Sequence, residues 1–310
     1  MDDAVTLNEI PQTKISYMIA GWRQWADAGS ISSGLPQYLI QQTNARHIGS
    51  IEPTGYYLFQ IPGTHDLVRP VVRFEDGFPE SLETRHNDLY YTGNAERGVV
   101  IFLGDEPHMD IDRYSNAFLS AAQSLGVRRI ISLGGVYGEL PYDKERMIAS
   151  IYSRKELKAE LTDLAVNLSD YQGGASIGSY LCHHASKRDI EFVGLYAFVP
   201  TYEFTSFAQS ASSIRIENDF MAWLGVMKRI NHMLGLHFDL RDLEDKSQHL
   251  RDVVAARIDE LDSSAPQLGV REYINQLAAN FEEVEFDPLA DVWEQELRRL
   301  FDDADSEDND

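Results

Sequence analysis

Gly98-Val99-Val100-Ile101-Phe102-Leu103 is a run of strand length, apolar on both faces, and it leads directly into Gly104-Asp105-Glu106-Pro107. Residues 110–125 follow, with Ile111, Tyr114, Phe118, Leu119 and Ala122 on one helical stripe. Asp110 stands where an N-cap belongs and Gly126 where a helix stops. Residues 129–133 then read as a second strand. A doubly apolar strand, a helix and another strand in succession are the repeating unit of a parallel sheet covered on both sides.

The same alternation extends outward. Residues 15–22 read as a strand and 30–42 as a helix despite Pro36, with further strand signals at 67–74 and 88–92. Residues 153–164 read as a helix, with Ser153 and Glu156 spaced as a capping box. Residues 176–186 form another helix and 190–199 another near-continuous apolar strand. The expected fold is a three-layer α/β/α arrangement with a mostly parallel, doubly wound sheet over residues 1–204.

After Pro200 the pattern becomes helical. Phe220, Trp223, Leu224, Met227, Ile230 and Leu234 form one stripe, which ends at Gly235. Helical segments at 239–261, 269–281 and 289–301 follow, broken by Ser263-Ser264-Ala265-Pro266. The expectation is a helical extension over residues 205–301 containing a projecting hairpin, then an acidic, disordered tail at 302–310.

Bulk properties narrow the function classes. The net charge of −23 argues against nucleic acid and anionic membrane as partners, and residues 282–310 alone hold 13 acids against 2 arginines. Cys182 is the sole cysteine, so no internal disulfide can form, which fits a reducing cytoplasm. The start of the chain, Met1-Asp2-Asp3-Ala4, has no signal-peptide pattern, and no apolar run approaches the length of a membrane span.

Three stretches in order resemble the proteasome assembly chaperone 2 family. They are Gly21-Trp22-Arg23-Gln24-Trp25-Ala26-Asp27-Ala28-Gly29, then Gly104-Asp105-Glu106-Pro107, then Gly173-Gly174-Ala175-Ser176-Ile177-Gly178-Ser179-Tyr180-Leu181 with Leu195-Tyr196-Ala197 and Pro200-Thr201-Tyr202. The resemblance implies a core similar to phosphorylase and peptidyl-hydrolase folds. It also implies protein partners, among them proteasome-type subunits, and a homo-oligomer. Archaeal chaperones of this type can end in a hydrophobic residue, a tyrosine and one more residue; Glu307-Asp308-Asn309-Asp310 differs from that.

The candidate ligand or partner site comprises Trp22, Asp27, Asp105, Glu106, His108, Gly134, Gly135, Tyr137, Gly174 and Ser176, most of them after strands, where α/β folds place ligands. Gly174-Ala175-Ser176-Ile177-Gly178 fits a nucleophile elbow, but His232, His237 and His249 all lie in the helical section. The favoured reading makes Ser176 a helix N-cap beside a close-packing glycine turn. Gly134-Gly135-Val136-Tyr137-Gly138 reads as a tight turn without the Lys-Ser/Thr of a phosphate loop. Cys182, His183 and His184 point in different directions on a helix, so no metal and no cofactor are expected.

The leading expectation is a non-catalytic, assembly-chaperone-like binding protein with the helical arm as a contact element. The alternative is a small-molecule hydrolase or phosphorylase-like enzyme using the loops at Asp27, Glu106, Gly135 and Ser176. An ATP-dependent carboxylate–amine ligase is a further alternative, with no lysine pair to support it.

Overall fold

The computed structural model describes residues 4–60, 69–204, 212–284 and 286. The strands are β1 (Val5–Leu7), β2 (Ile15–Arg23), β3 (Arg46–Ile51), β4 (Val71–Glu75), β5 (Phe78–Glu83), β6 (Asp88–Gly93), β7 (Arg97–Asp105), β8 (Val127–Gly138), β9 (Ile148–Tyr152), β10 (Asn167–Leu168), β11 (Glu191–Phe204) and β12 (Ser212–Arg215). The helices are α1 (Gly34–Gln42), α2 (Ile111–Ser124), α3 (Leu157–Thr162), α4 (Ile177–Ser186), α5 (Phe220–Leu234), α6 (Arg241–Ser264) and α7 (Val270–Asn280).

The main sheet runs β1-β3-β6-β7-β2-β8-β11-β9-β10, with β12 also paired to β11. Its centre, β7-β2-β8-β11, is parallel. Antiparallel pairs extend it on both sides, β6 with β7 and β9 with β11. The parallel strands are the doubly apolar runs read from the sequence, and alternate residues feed two cores. Ile19, Ile101, Ile131 and Leu195 join α1 and α5 on one face, through Leu35, Leu39, Trp223 and Met227. Met18, Val100, Ile130 and Phe192 join α2 and α4 on the other, through Phe118, Leu119, Ile177 and Leu181. This is the expected α/β/α layering.

Several local expectations need correction. Residues 134–138 do not form a turn, because β8 continues through them in register with β11 as far as Gly138. Asp110 sits at the N-cap position with φ 51° and makes no capping hydrogen bond; its carboxylate lies 3.3 Å from Arg113. Ser153 caps no helix either. Its Oγ donates to the Ile190 carbonyl (2.6 Å) and accepts from the Phe192 amide (2.8 Å), and α3 starts only at Leu157. Pro36, by contrast, is accommodated in the first turn of α1, where an N–H has no intrahelical partner.

The apolar stripe of α6 is not displayed to solvent. Leu243, Val254, Ile258 and Leu261 are buried in the same core as the α5 side of the sheet, together with Val270 and Ile274 of α7. The expected helical contact arm is therefore packed against the body. A buried ion pair joins the layers: Arg146 Nε donates to Asp219 Oδ2 (2.7 Å), while Asp219 Oδ1 caps α5 by accepting from the Ala222 amide (3.1 Å). Residues 67–68, the expected helix at 289–301 and the tail at 302–310 lie outside the described residues.

Among the described residues, the β4–β5 hairpin is a separate two-stranded sheet that pairs with no strand of the main one. Val72 pairs with Leu82 and Phe74 with Pro79, and Val72, Phe74 and Leu82 are all exposed. Arg73 lies 3.5 Å from Glu83.

Candidate functional site

The carboxyl ends of β2, β7 and β8 do bring the expected loops together. After β2 the chain turns through Gln24 (φ 90°) and Ala26 (φ 52°), two non-glycine residues in the left-handed region. The Gly135 amide then donates to the Ala26 carbonyl (2.7 Å), and Asp27 forms a parallel bridge with Gly135. A Cβ on Gly135 would lie 2.0 Å from the Ala28 carbonyl oxygen, so only glycine lets this loop seat. Glycine at 134 has a different neighbour: a Cβ there would lie 2.4 Å from the Tyr196 ring.

Most of the polar groups drawn into this region are engaged in holding it. Asp27 Oδ1 accepts from the Ser32 and Ser33 amides (2.9 Å each) and Oδ2 from the Ser33 hydroxyl (2.6 Å). Burial nevertheless pushes the Asp27 carboxyl above its ordinary value, with those hydrogen bonds pulling the other way. Asp105 is buried and holds Arg85 (2.9 Å), the His86 amide (3.1 Å) and, at 3.6 Å, Arg23. Trp22 is in the core, its Nε1 donating to the Tyr114 hydroxyl (2.8 Å). His108 Nδ1 accepts from the Leu58 amide (3.2 Å) and Nε2 faces Gln24 (3.3 Å); burial lowers its affinity for a proton.

Ser176 is the N-cap of α4, its Oγ accepting from the Ser179 amide (3.2 Å) and lying 3.1 Å from the Tyr196 hydroxyl. The close-packing glycine of this segment is Gly178, where a Cβ would meet Ser132 Oγ and Tyr196 OH at 3.0 Å. A Cβ on Gly174 would meet nothing within 4 Å. Tyr137 lies away from the convergence, with the Arg215 guanidinium 4.9 Å from its ring centre. No group of three or more metal-ligating side chains occurs among the described residues.

Glu106 is the exception. Its Oε1 accepts from the Ile177 amide at the start of α4 (2.8 Å), but its buried Oε2 has no partner. Burial raises its carboxyl to about 7, against the smaller lowering effect of the Ile177 bond. It lines a crevice with Trp25, Ser176, Ile177, Gly178 and Tyr196 whose cavity volume is only about 10 Å³. No chemistry-bearing motif singles out Trp25 or Tyr196 in the sequence. A tryptophan between two residues forced to positive φ is visible only once the backbone is known.

The PAC2 family model matches residues 22–257. The chain belongs to the PAC2 family. Its fold is shared with a PAC2 family protein from Streptomyces avermitilis, at 22% identity and TM-score 0.67 over 83% of this chain and 99% of that one. A proteasome-assembly chaperone homologue from Mycobacterium tuberculosis aligns at 20% identity and TM-score 0.67, over 77% and 94% respectively. An archaeal proteasome activator from Pyrococcus furiosus aligns at 17% identity and TM-score 0.59, over 81% and 97%. A search of curated proteins finds no match. No helix among the described residues of this PAC2 protein is long and apolar enough to cross a membrane.

Proposed function

We propose that this PAC2 protein is a non-catalytic, assembly-chaperone-like protein that binds other protein chains, with proteasome-type subunits as the partner class. One observation carries the reading: at the carboxyl ends of the parallel strands, where an enzyme of this layering would open a substrate cleft, the loops close to about 10 Å³. Asp27, Asp105 and Ser176 are already committed there to internal hydrogen bonds. The Pyrococcus furiosus and Mycobacterium tuberculosis neighbours named above support the choice of partner.

The contact surface in this reading is the β4–β5 hairpin rather than the helices. An isolated two-stranded hairpin is marginal in water, and Val72, Phe74 and Leu82 on it are 45%, 62% and 62% exposed. The reading includes self-association into a homo-oligomer and a cytoplasmic setting.

The test is capture with the full-length chain and with Val72→Ser/Phe74→Ser, using purified α-type proteasome subunits and then native cytosol. Stoichiometric retention of those subunits by the native chain, lost in the double variant, is the expected result. Retention of no protein chain from either source overturns the role.

A further inference from the structure

We propose that the Glu106 crevice is a receptor for a single primary ammonium group, presented on the aliphatic stem of a lysine side chain from a protein partner. The inference rests on the protein-binding reading above and adds the chemistry of the group received.

The first support is size. A volume of about 10 Å³ holds about one water-sized group, and an ammonium is of that size, whereas a planar guanidinium is not. The second is the arrangement of donors and acceptors. Glu106 Oε2 is buried and unpaired, and Ser176 and Tyr196, whose hydroxyls lie 3.1 Å apart, line the same crevice with oxygens of a type that accepts. Two of the amides at this helix start that would greet an anion are occupied: that of Ile177 is bonded to Glu106 and that of Ser179 to Ser176. The lining residues include no lysine, arginine or histidine.

The third support is the wall. Trp25 lines the crevice and is still 60% exposed. The left-handed residues Gln24 and Ala26 on either side fix that outward placement. An exposed indole face beside a carboxyl group favours a cationic head with an apolar stem, through cation–π attraction and stem packing. The net charge of −23 draws basic segments toward the molecule before contact.

The test uses full-length protein labelled with ¹⁵N at tryptophan, with the Trp25 indole resonance assigned from Trp25→Phe. Titration with n-butylammonium is expected to move that resonance saturably, with half-saturation in the millimolar range. n-Butanol and butyrate are expected to leave it in place. Glu106→Gln should weaken the butylammonium response by about tenfold or more, and Trp25→Ala, assayed by ligand line broadening, by about threefold. Trp25 is exposed, so its replacement also provides a folded variant should Glu106→Gln unfold.

An equal response to n-butanol, an unchanged response in both variants, or no saturable response would overturn the site and leave a crevice that holds water only. Failure of the capture experiment with a positive titration would overturn the partner reading and leave the ammonium site standing.

Discussion

The crevice beside Glu106 and the β4–β5 hairpin handle their side chains in opposite ways. Around the crevice, polar groups other than Glu106 Oε2 are drawn inward and held by internal hydrogen bonds, and two glycines let the loop and a tyrosine ring seat closely. On the hairpin, valine, phenylalanine and leucine are held out in water on a strand pair that joins no other sheet among the described residues. Groups that are satisfied internally stabilise the fold. Groups that are left unsatisfied carry a free-energy cost that only a binding partner removes.

Substitutions should separate the two regions by size of effect. Gly135→Ala is expected to be the most damaging, because its Cβ would sit 2.0 Å from the Ala28 carbonyl oxygen. A loss of about 3 kcal/mol or more is expected in denaturant melts, since backbone rather than a flexible side chain has to move. Asp27→Ala removes the acceptor for two amides and a hydroxyl, with an expected loss of about 2 kcal/mol in the same assay.

Glu106→Gln should have the opposite sign and depend on pH. The folded-state value of about 7 lies above the ordinary 4.5, so the folded protein retains a proton that the unfolded chain releases. That contribution to stability is complete below pH 4.5 and is lost as pH rises through about 7. The glutamine, which can still accept from Ile177, removes the loss. Melts at about pH 8 should show the variant more stable by about 1–2 kcal/mol, with no such gain near about pH 4. Val72→Ser/Phe74→Ser should change stability least, within about 0.5 kcal/mol, because neither side chain is buried. A large destabilisation by that pair would mean that the hairpin belongs to the fold rather than to a binding surface.

The parallel centre of the sheet is legible in the sequence because β2, β7, β8 and β11 are buried on both faces and have to be written as apolar runs. The margins are not. Arg46-His47-Ile48-Gly49-Ser50-Ile51 forms β3 with only scattered apolar residues, and β5 carries Pro79 within a strand. β10 is two residues long. Ser153 illustrates the limit of local signals: its spacing to Glu156 fits a cap, but tertiary bonds to Ile190 and Phe192 take the hydroxyl.

At the site, the helix-capping role of Ser176 follows from sequence, and so does the approach of the Asp27 and Glu106 loops. The glycine pair reads as a turn because glycine signals either positive φ or close approach. Here Gly134 and Gly135 serve the second need. The solitary state of Glu106 Oε2 depends on which amide its sister oxygen accepts, and that is set by tertiary structure alone.

Cys182 gives this architecture a built-in clock. It is buried on α4, the helix whose first amide is held by Glu106, and burial pushes its thiol up to about 12. A thiolate-seeking reagent can therefore react at an appreciable rate only when α4 lifts away from the sheet. As the chain contains no second cysteine, the rate of labelling reports that one opening without interference. If a ligand in the Glu106 crevice pins the start of α4, labelling of a residue on the same helix should slow in proportion to its occupancy.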